Sequence, residues 1–516
     1  MVLLLGTVAS RLLGLLRDVV VSARFGTSGD LDLYVAAFRV PDLAFTLVSG
    51  GALGSALVPV FSQALHRADN NERLGRTRLV MLAGATSAAV LIVATTLAAV
   101  AALYADSLAP LLGAGWTADA QSRLASLVRI LLIQPVLLGT GEVLARFLNV
   151  NGRFGATAFA PAAYTAGIVF AAVLAPVELG TVALAWGVVG GAVLFLLILV
   201  IDAWRTGFRP PTSFRHVSGT TTDLVEIVSL MIPRVVGQGA VQLSFVATTR
   251  LASYLPTGRL ASLNYAWALM MLPLGAFAMT AANAAFPTFA ALAATGDLAT
   301  LASTGRRTVG TVAASMIVAL AGAIALGADA IEVLFGRLAF DGESVRLTAG
   351  ALTAYAVGLP AHGVLEVQMR LAFALKDTRT PVLIGVLAMA ANVLIATVLS
   401  PLIGHVGIGL ALSIAATAEA IALGIVVERQ LPGVHGQGLA VLALRLAAIA
   451  TGAALAGSAV SAVLSGVGAS ALTRLALSGV AFAGTVGFGA WGLGVSELTQ
   501  VATMVLRRAY SRRNHA

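Results

Sequence analysis

Apolar runs long enough to cross a bilayer recur along almost the whole chain. A transmembrane helix needs about 20 predominantly apolar residues, and such runs begin near residues 2, 31, 79, 124, 156, 181, 224, 260, 308, 347, 382, 406, 440 and 475. Segments of this length satisfy their backbone hydrogen bonds in lipid as helices. The expected fold is therefore an all-α polytopic membrane protein of about fourteen transmembrane helices. Only 11% of the residues are charged, against about 25% in a soluble domain. The 54 glycines suit close helix packing, as do small-residue pairs four apart such as Gly50/Gly54 and Gly187/Gly191. There is no cysteine, so no disulfide is expected. A net charge of +9 would suggest nucleic acid in a soluble protein, but here the basic residues lie in short loops between spans. No nucleic-acid partner is expected. No cleavable signal precedes the first span, which is expected to serve as the targeting signal.

The loops assign an orientation. Arg67, Arg73, Arg76 and Arg78 follow the second span, Arg146 and Arg153 the fourth, and Arg205, Arg209 and Arg215 the sixth. Arg306 and Arg307, then Arg370, Lys376 and Arg379, then Arg429, and finally Arg507, Arg508, Arg512 and Arg513 continue the series. The alternate loops hold only Arg24, Arg123, Arg250, Arg259, Arg337, Arg346 and Arg474. Basic residues concentrate on the cytoplasmic side, so both termini are expected there. An internal repeat is also visible. Arg11-Leu12-Leu13-Gly14 recurs as Arg234-Val235-Val236-Gly237, and Glu142-Val143-Leu144-Ala145-Arg146 recurs as Glu366-Val367-Gln368-Met369-Arg370, at nearly the same offset. Six spans per copy implies parallel repeats about an axis along the membrane normal. The expected division is a lobe at 1–215, a second at 216–430, and two extra helices with a basic tail at 431–516.

The charges inside the spans carry the functional reading. Ser10-Arg11-Leu12-Leu13-Gly14-Leu15-Leu16-Arg17-Asp18 interrupts an apolar run from Val2 to Val21. A charge at membrane depth costs at least about 2.5–3.5 kcal/mol and by default marks a pathway or a partner. Snorkelling to an interface suits Arg17 and Asp18, near the end of the run, better than Arg11 in its middle. Asp18, seven after Arg11, shares its helical face and can neutralise it. Asp32 and Arg39 lie on the second span, and Arg234 stands at the matching place in the second lobe. This positive surplus suits an anionic head group, and arginine's fork suits phosphate oxygens. The candidate substrate-binding set is thus Arg11, Arg17, Asp18, Asp32, Arg39 and Arg234. Glu142/Arg146 and Glu366/Arg370 are spaced to neutralise each other on their helices. Glu419, alone in the twelfth span, needs a partner or a proton and is the coupling candidate. The histidines have no metal-ligand spacing, and no Walker sequence is present, so no enzyme, metal or cofactor is expected.

Several stretches resemble the MurJ (MviN) family of lipid II flippases. They are Ser10-Arg11-Leu12-Leu13-Gly14 with Arg17-Asp18, Phe25-Gly26, Asp32, Ala37-Phe38-Arg39-Val40-Pro41, Val58-Pro59, Leu148-Asn149, Arg153-Phe154, Phe159-Ala160-Pro161 and Asp377-Thr378-Arg379-Thr380-Pro381. The resemblance implies two six-helix lobes that rock about a central cationic cavity, with two C-terminal helices forming a groove for the lipid tail. It implies translocation of lipid II, the undecaprenyl-pyrophosphate-linked peptidoglycan precursor, with possible partners among cell-wall synthesis proteins. The family's cavity arginines on the first helix match Arg11 and Arg17, and its second-helix aspartate matches Asp32. Elsewhere the chain departs from the pattern. Phe45 and Thr46 replace basic residues, Gly50-Gly51 replaces Glu-Gly, Tyr265-Ala266-Trp267-Ala268 replaces Tyr-Ala-Asp-Arg, and Ala396 stands where some members have an acidic residue four after Asn392. A related exporter of other polyprenyl-linked glycans or amphiphiles, and a non-transporting cell-wall scaffold, are the alternatives.

Overall fold

The computed structural model describes residues 2–48, 52–66, 72–208, 220–434, 436 and 438–498. Every regular element among them is helical. Two compact units divide at Ala261/Ser262. This contact division lies downstream of the lobe boundary expected near residue 215, because the helix Thr220–Ser253 packs on the helices Arg39–Val48 and Ala52–His66.

In chain order, the first unit contains α1 (Val2–Phe25), α2 (Gly29–Ala37), α3 (Arg39–Val48), α4 (Ala52–His66), α5 (Glu72–Leu103), α6 (Ala105–Leu112), α7 (Ala118–Leu131), α8 (Ile133–Val150), α9 (Gly155–Leu174), α10 (Gly180–Arg205) and α11 (Thr220–Ser253). Among these, α1 packs on α9, α9 on α10, and α11 on α3 and α4. The α9–α10 crossing shows what its glycines do. A Cβ on Gly167 would lie 2.5 Å from the Gly191 Cα, and one on Gly187 or Gly191 would strike Ala171 or the Tyr164 carbonyl. Backbones approach this closely only where side chains are missing. The expected packing role of Gly187/Gly191 is seen directly, whereas Gly50 and Gly51 lie outside the described residues. Leu57, Phe61, Leu79, Leu82, Phe147, Leu148 and Leu199 belong to one buried apolar cluster of this unit.

After α12 (Arg259–Pro273), which begins at the unit boundary, the second unit continues through α13 (Thr280–Thr295), α14 (Leu298–Phe335), α15 (Gly342–Ala356), α16 (Leu359–Ala374), α17 (Arg379–Ile403), α18 (His405–Gln430), α19 (Gly438–Gly466) and α20 (Ala471–Gly492). A π-helical turn, Leu274–Met279, joins α12 to α13. Pro273 lies just before it, and the Thr280 hydroxyl donates to the Gly275 carbonyl at 2.9 Å. Tyr265 is buried against Phe335 and Phe340, with ring centroids 5.4 and 5.5 Å away, and Trp267 stands edge-on to Tyr355 at 5.6 Å. Aromatic packing thus occupies the stretch where the family resemblance led one to look for charges.

Ten described segments are long and apolar enough to cross a membrane. They correspond to expected spans three to six, eight, nine and eleven to fourteen. The other four expected spans are α1, the series α2–α4, α11 and the pair α15–α16, and these hold Arg11, Asp32, Arg39, Arg234 and Arg370. The second span is not one continuous helix. Its chain turns at Phe38, and the α3–α4 junction lies outside the described residues.

Candidate functional site

The charges of α1 meet three different fates. Arg24, at its C-terminal end, donates to the carbonyls of Ala172 and Ala175, each at 2.7 Å, and of Pro176 at 2.9 Å. Those carbonyls close the C-terminus of α9, where a cation also suits the helix dipole. Arg17 grips its neighbour Asp18, with Nε at 2.9 Å and Nη2 at 2.8 Å from the same carboxylate oxygen. Asp18, which its helical face made available to Arg11, is thus taken by Arg17 instead. Seven residues along a helix are about 10 Å, and helical side chains lean toward the N-terminus, so the Arg11 guanidinium is carried away from Asp18. Arg11 is exposed, and no hydrogen bond or ion pair reaches it among the described residues.

Asp32 is buried, and both its oxygens are engaged. One accepts the Gly258 N–H at 2.6 Å and the other the Ala261 N–H at 2.7 Å. The carboxylate therefore caps the start of α12, compensating backbone donors that a helix leaves unpaired there. Arg39, at the start of α3, donates from Nε to the Thr249 hydroxyl at 2.9 Å and lies 5.1 Å above the Phe245 ring. Both partners belong to α11, so Arg39 docks the two elements through a hydrogen bond and a cation–π contact. The backbone of Arg234 lies in α11, but its side chain falls outside the described residues. Within the first unit, then, Arg11 offers an open guanidinium, Arg17–Asp18 is a neutralised pair, and Asp32 and Arg39 hold the scaffold.

In the second unit Glu419 is half-buried on α18, and no hydrogen bond or ion pair reaches it among the described residues. A Cβ on Gly385 of α17 would come within 3.2 Å of its Oε1, so a glycine leaves the space this carboxyl occupies. Asn392 and Ala396 are buried on the same helix α17. The two spaced pairs behave as their spacing suggests: Arg146–Glu142 and Arg370–Glu366 each close to 2.5 Å. Arg370 also reaches Asn283 on α13 at 3.0 Å.

Sequence spacing did not single out the network at the C-terminal end of α14. Arg474 of α20 binds Asp329 at 2.8 Å and Glu332 at 2.5 Å, and Ser461 of α19 donates to Asp329 at 2.5 Å. The only available signal was two carboxylates three apart at the end of an apolar run. This network belongs to a wider asymmetry. Each of the seven arginines in the sparsely basic loops has a partner, such as Asp30 and Asp119 for Arg123, the α6 carbonyls Pro110 and Leu111 for Arg250, and Val333 for Arg337. Arg259 reaches Thr257, and Arg346 pairs with Glu343. In the richly basic loops, Arg73, Arg76, Arg205, Lys376, Arg379 and Arg429 are exposed, with no side-chain partner among the described residues.

Comparisons with known proteins agree with one another. The sequence model of the family described as "Lipid II flippase MurJ" matches residues 21–476; Arg11, Arg17 and Asp18 lie just ahead of the matched range. A protein of Vibrio cholerae named "Probable lipid II flippase MurJ" is 28% identical over 431 residues, which are 80% of this chain and 78% of that one. Its namesake in Haemophilus influenzae is 29% identical over 436 residues, 81% of this chain and 83% of its own. Among solved structures, one titled "Lipid II flippase MurJ, inward closed conformation" aligns with a TM-score of 0.76 at 20% identity, covering 95% of this chain and 99% of that chain. An inward-facing multidrug resistance MATE family transporter of the MOP superfamily aligns with a TM-score of 0.68 at 15% identity, covering 83% and 96%. At these identities the structural likeness speaks for the fold alone.

Proposed function

Because this chain belongs to the lipid II flippase MurJ family, whose model spans residues 21–476 of it, we propose that it translocates lipid II across the bacterial cytoplasmic membrane. The chain acts as a multi-pass transporter and catalyses no covalent step. The observation that carries its chemistry is Arg11, an exposed guanidinium midway along an apolar helix with no partner among the described residues. Such a charge is costly in lipid, and an anionic substrate that shares its site removes the cost. Arg11 takes oxygens of the pyrophosphate through its planar fork. Arg17, six residues further along the same helix, contributes once its grip on Asp18 is shared with the substrate, and Arg234 is the corresponding group of the second repeat. Alternating access of the two repeats around this cationic site moves the head group.

Both termini face the cytoplasm in this reading. The support is the loop asymmetry together with its structural counterpart: cations on the outer side are held by carboxylates and helix ends, while many on the inner side are open.

The test is binding of lipid II to purified variants. Losing one charge-assisted hydrogen bond costs about 1.5–3 kcal/mol, roughly 10- to 100-fold in affinity. Arg11→Ala should bind lipid II that much more weakly at unchanged membrane abundance, and Arg11→Lys should fall between. Equal affinity for wild type and Arg11→Ala would remove Arg11 from the site.

A further inference from the structure

At the end of the first unit where α9 begins and α10 finishes, a pocket of about 480 Å³ is lined by Arg153, Gly155, Ala156, Ile198, Ile201, Asp202 and Arg205. Its polar and apolar parts are segregated. Arg153 pairs with Asp202 at 2.6 Å while remaining 45% exposed. Arg205 is exposed with no partner among the described residues. The pocket's three charged side chains therefore sum to a single positive charge, carried on two guanidiniums rich in unused donors. Its other wall is Ile198 and Ile201, which continue into the exposed apolar face of α10, with Ile201 47% and Trp204 64% exposed. A tryptophan at such a level is typical of the boundary between hydrocarbon and head groups.

We propose that this pocket holds an anionic phospholipid, with its phosphate between Arg153 and Arg205 and an acyl chain along Ile198 and Ile201. One net positive charge complements a phosphodiester, which carries one negative charge, better than it complements a pyrophosphate. Basic pockets between transmembrane helices at the cytoplasmic side are the common form of anionic-lipid sites. The apolar wall distinguishes the occupant from free phosphate, which has no use for it. The site lies apart from Arg11 in the sequence and does not depend on lipid II being the transported substrate.

The experiment titrates the purified full chain with phosphatidylglycerol and with phosphatidylcholine and counts bound lipid by native mass spectrometry. Wild type should retain phosphatidylglycerol in preference to phosphatidylcholine. Arg205→Gln should weaken phosphatidylglycerol binding about 10-fold, with Arg205→Lys intermediate. Ile201→Glu, which sets a carboxylate on the exposed wall, should cause a comparable loss through a different residue. Arg73→Gln, an equally exposed cation outside the pocket, should change nothing, and millimolar inorganic phosphate should not displace the lipid. Unchanged binding in both Arg205→Gln and Ile201→Glu would overturn the proposal. So would an equal loss in Arg73→Gln, which would mean diffuse attraction, or displacement by inorganic phosphate, which would mean a site for the free ion.

Discussion

At the scale of single residues, a charge in a membrane span is informative only once its partner is known. Arg17 and Arg39 each look functional in the sequence, and each is answered within the first unit, by Asp18 or by Thr249 and Phe245. Arg11 and Glu419 remain unanswered among the described residues. A half-buried carboxyl inside a membrane span, with no cation beside it, is costly. Glu419 therefore fits a coupling role, and Glu419→Gln should abolish the dependence of transport on pH or on a driving ion while leaving folded protein in the membrane. Transport that keeps the wild-type dependence would make Glu419 a packing residue beside Gly385. The lack of a partner at Glu419 among the described residues was legible from its isolation in an apolar run. The pairing of Asp18 was not, because helical spacing gives a shared face but not the direction in which a long side chain leans.

At the scale of elements, an interruption sets the charges of one span on separate helices. The α2–α4 series was expected as one span carrying both Asp32 and Arg39, and the break at Phe38 places Asp32 on α2 and Arg39 on α3. Asp32 caps α12 across 226 positions of sequence, a distance at which no local pattern could have revealed it. Losing the buried cap removes two charge-assisted hydrogen bonds, each of order 1.5–3 kcal/mol. Asp32→Ala should therefore lower the thermal unfolding temperature in detergent by several degrees, and Asp32→Asn, which keeps one acceptor oxygen, by less. Unfolding at the wild-type temperature together with weakened lipid II binding would instead make Asp32 a substrate ligand. By contrast, the i, i+4 pairs Glu142/Arg146 and Glu366/Arg370 were fully legible, since the rise of the helix alone brings them together.

At the scale of the whole molecule, span lengths and loop charges were enough to indicate an all-helical membrane protein, because lipid leaves the backbone so few solutions. What composition could not supply was the division into compact units, since α11 opens the second repeat by sequence and packs with the first by contact. Orientation can be tested simply, because the chain has no cysteine to remove. A cysteine at Arg76 should be labelled only after the membrane is permeabilised, and one at Asp119 in intact cells; the reverse would invert the proposed topology. The central claim, lipid II translocation that depends on Arg11, is tested most directly by expressing the chain in a bacterium depleted of its own flippase and measuring lipid II in the outer leaflet. The expected result is that the wild-type chain restores outer-leaflet lipid II and growth, while Arg11→Ala, present in the membrane at equal abundance, does not. Wild-type chain in the membrane with no lipid II reaching the outer leaflet, or full restoration by Arg11→Ala, would contradict it.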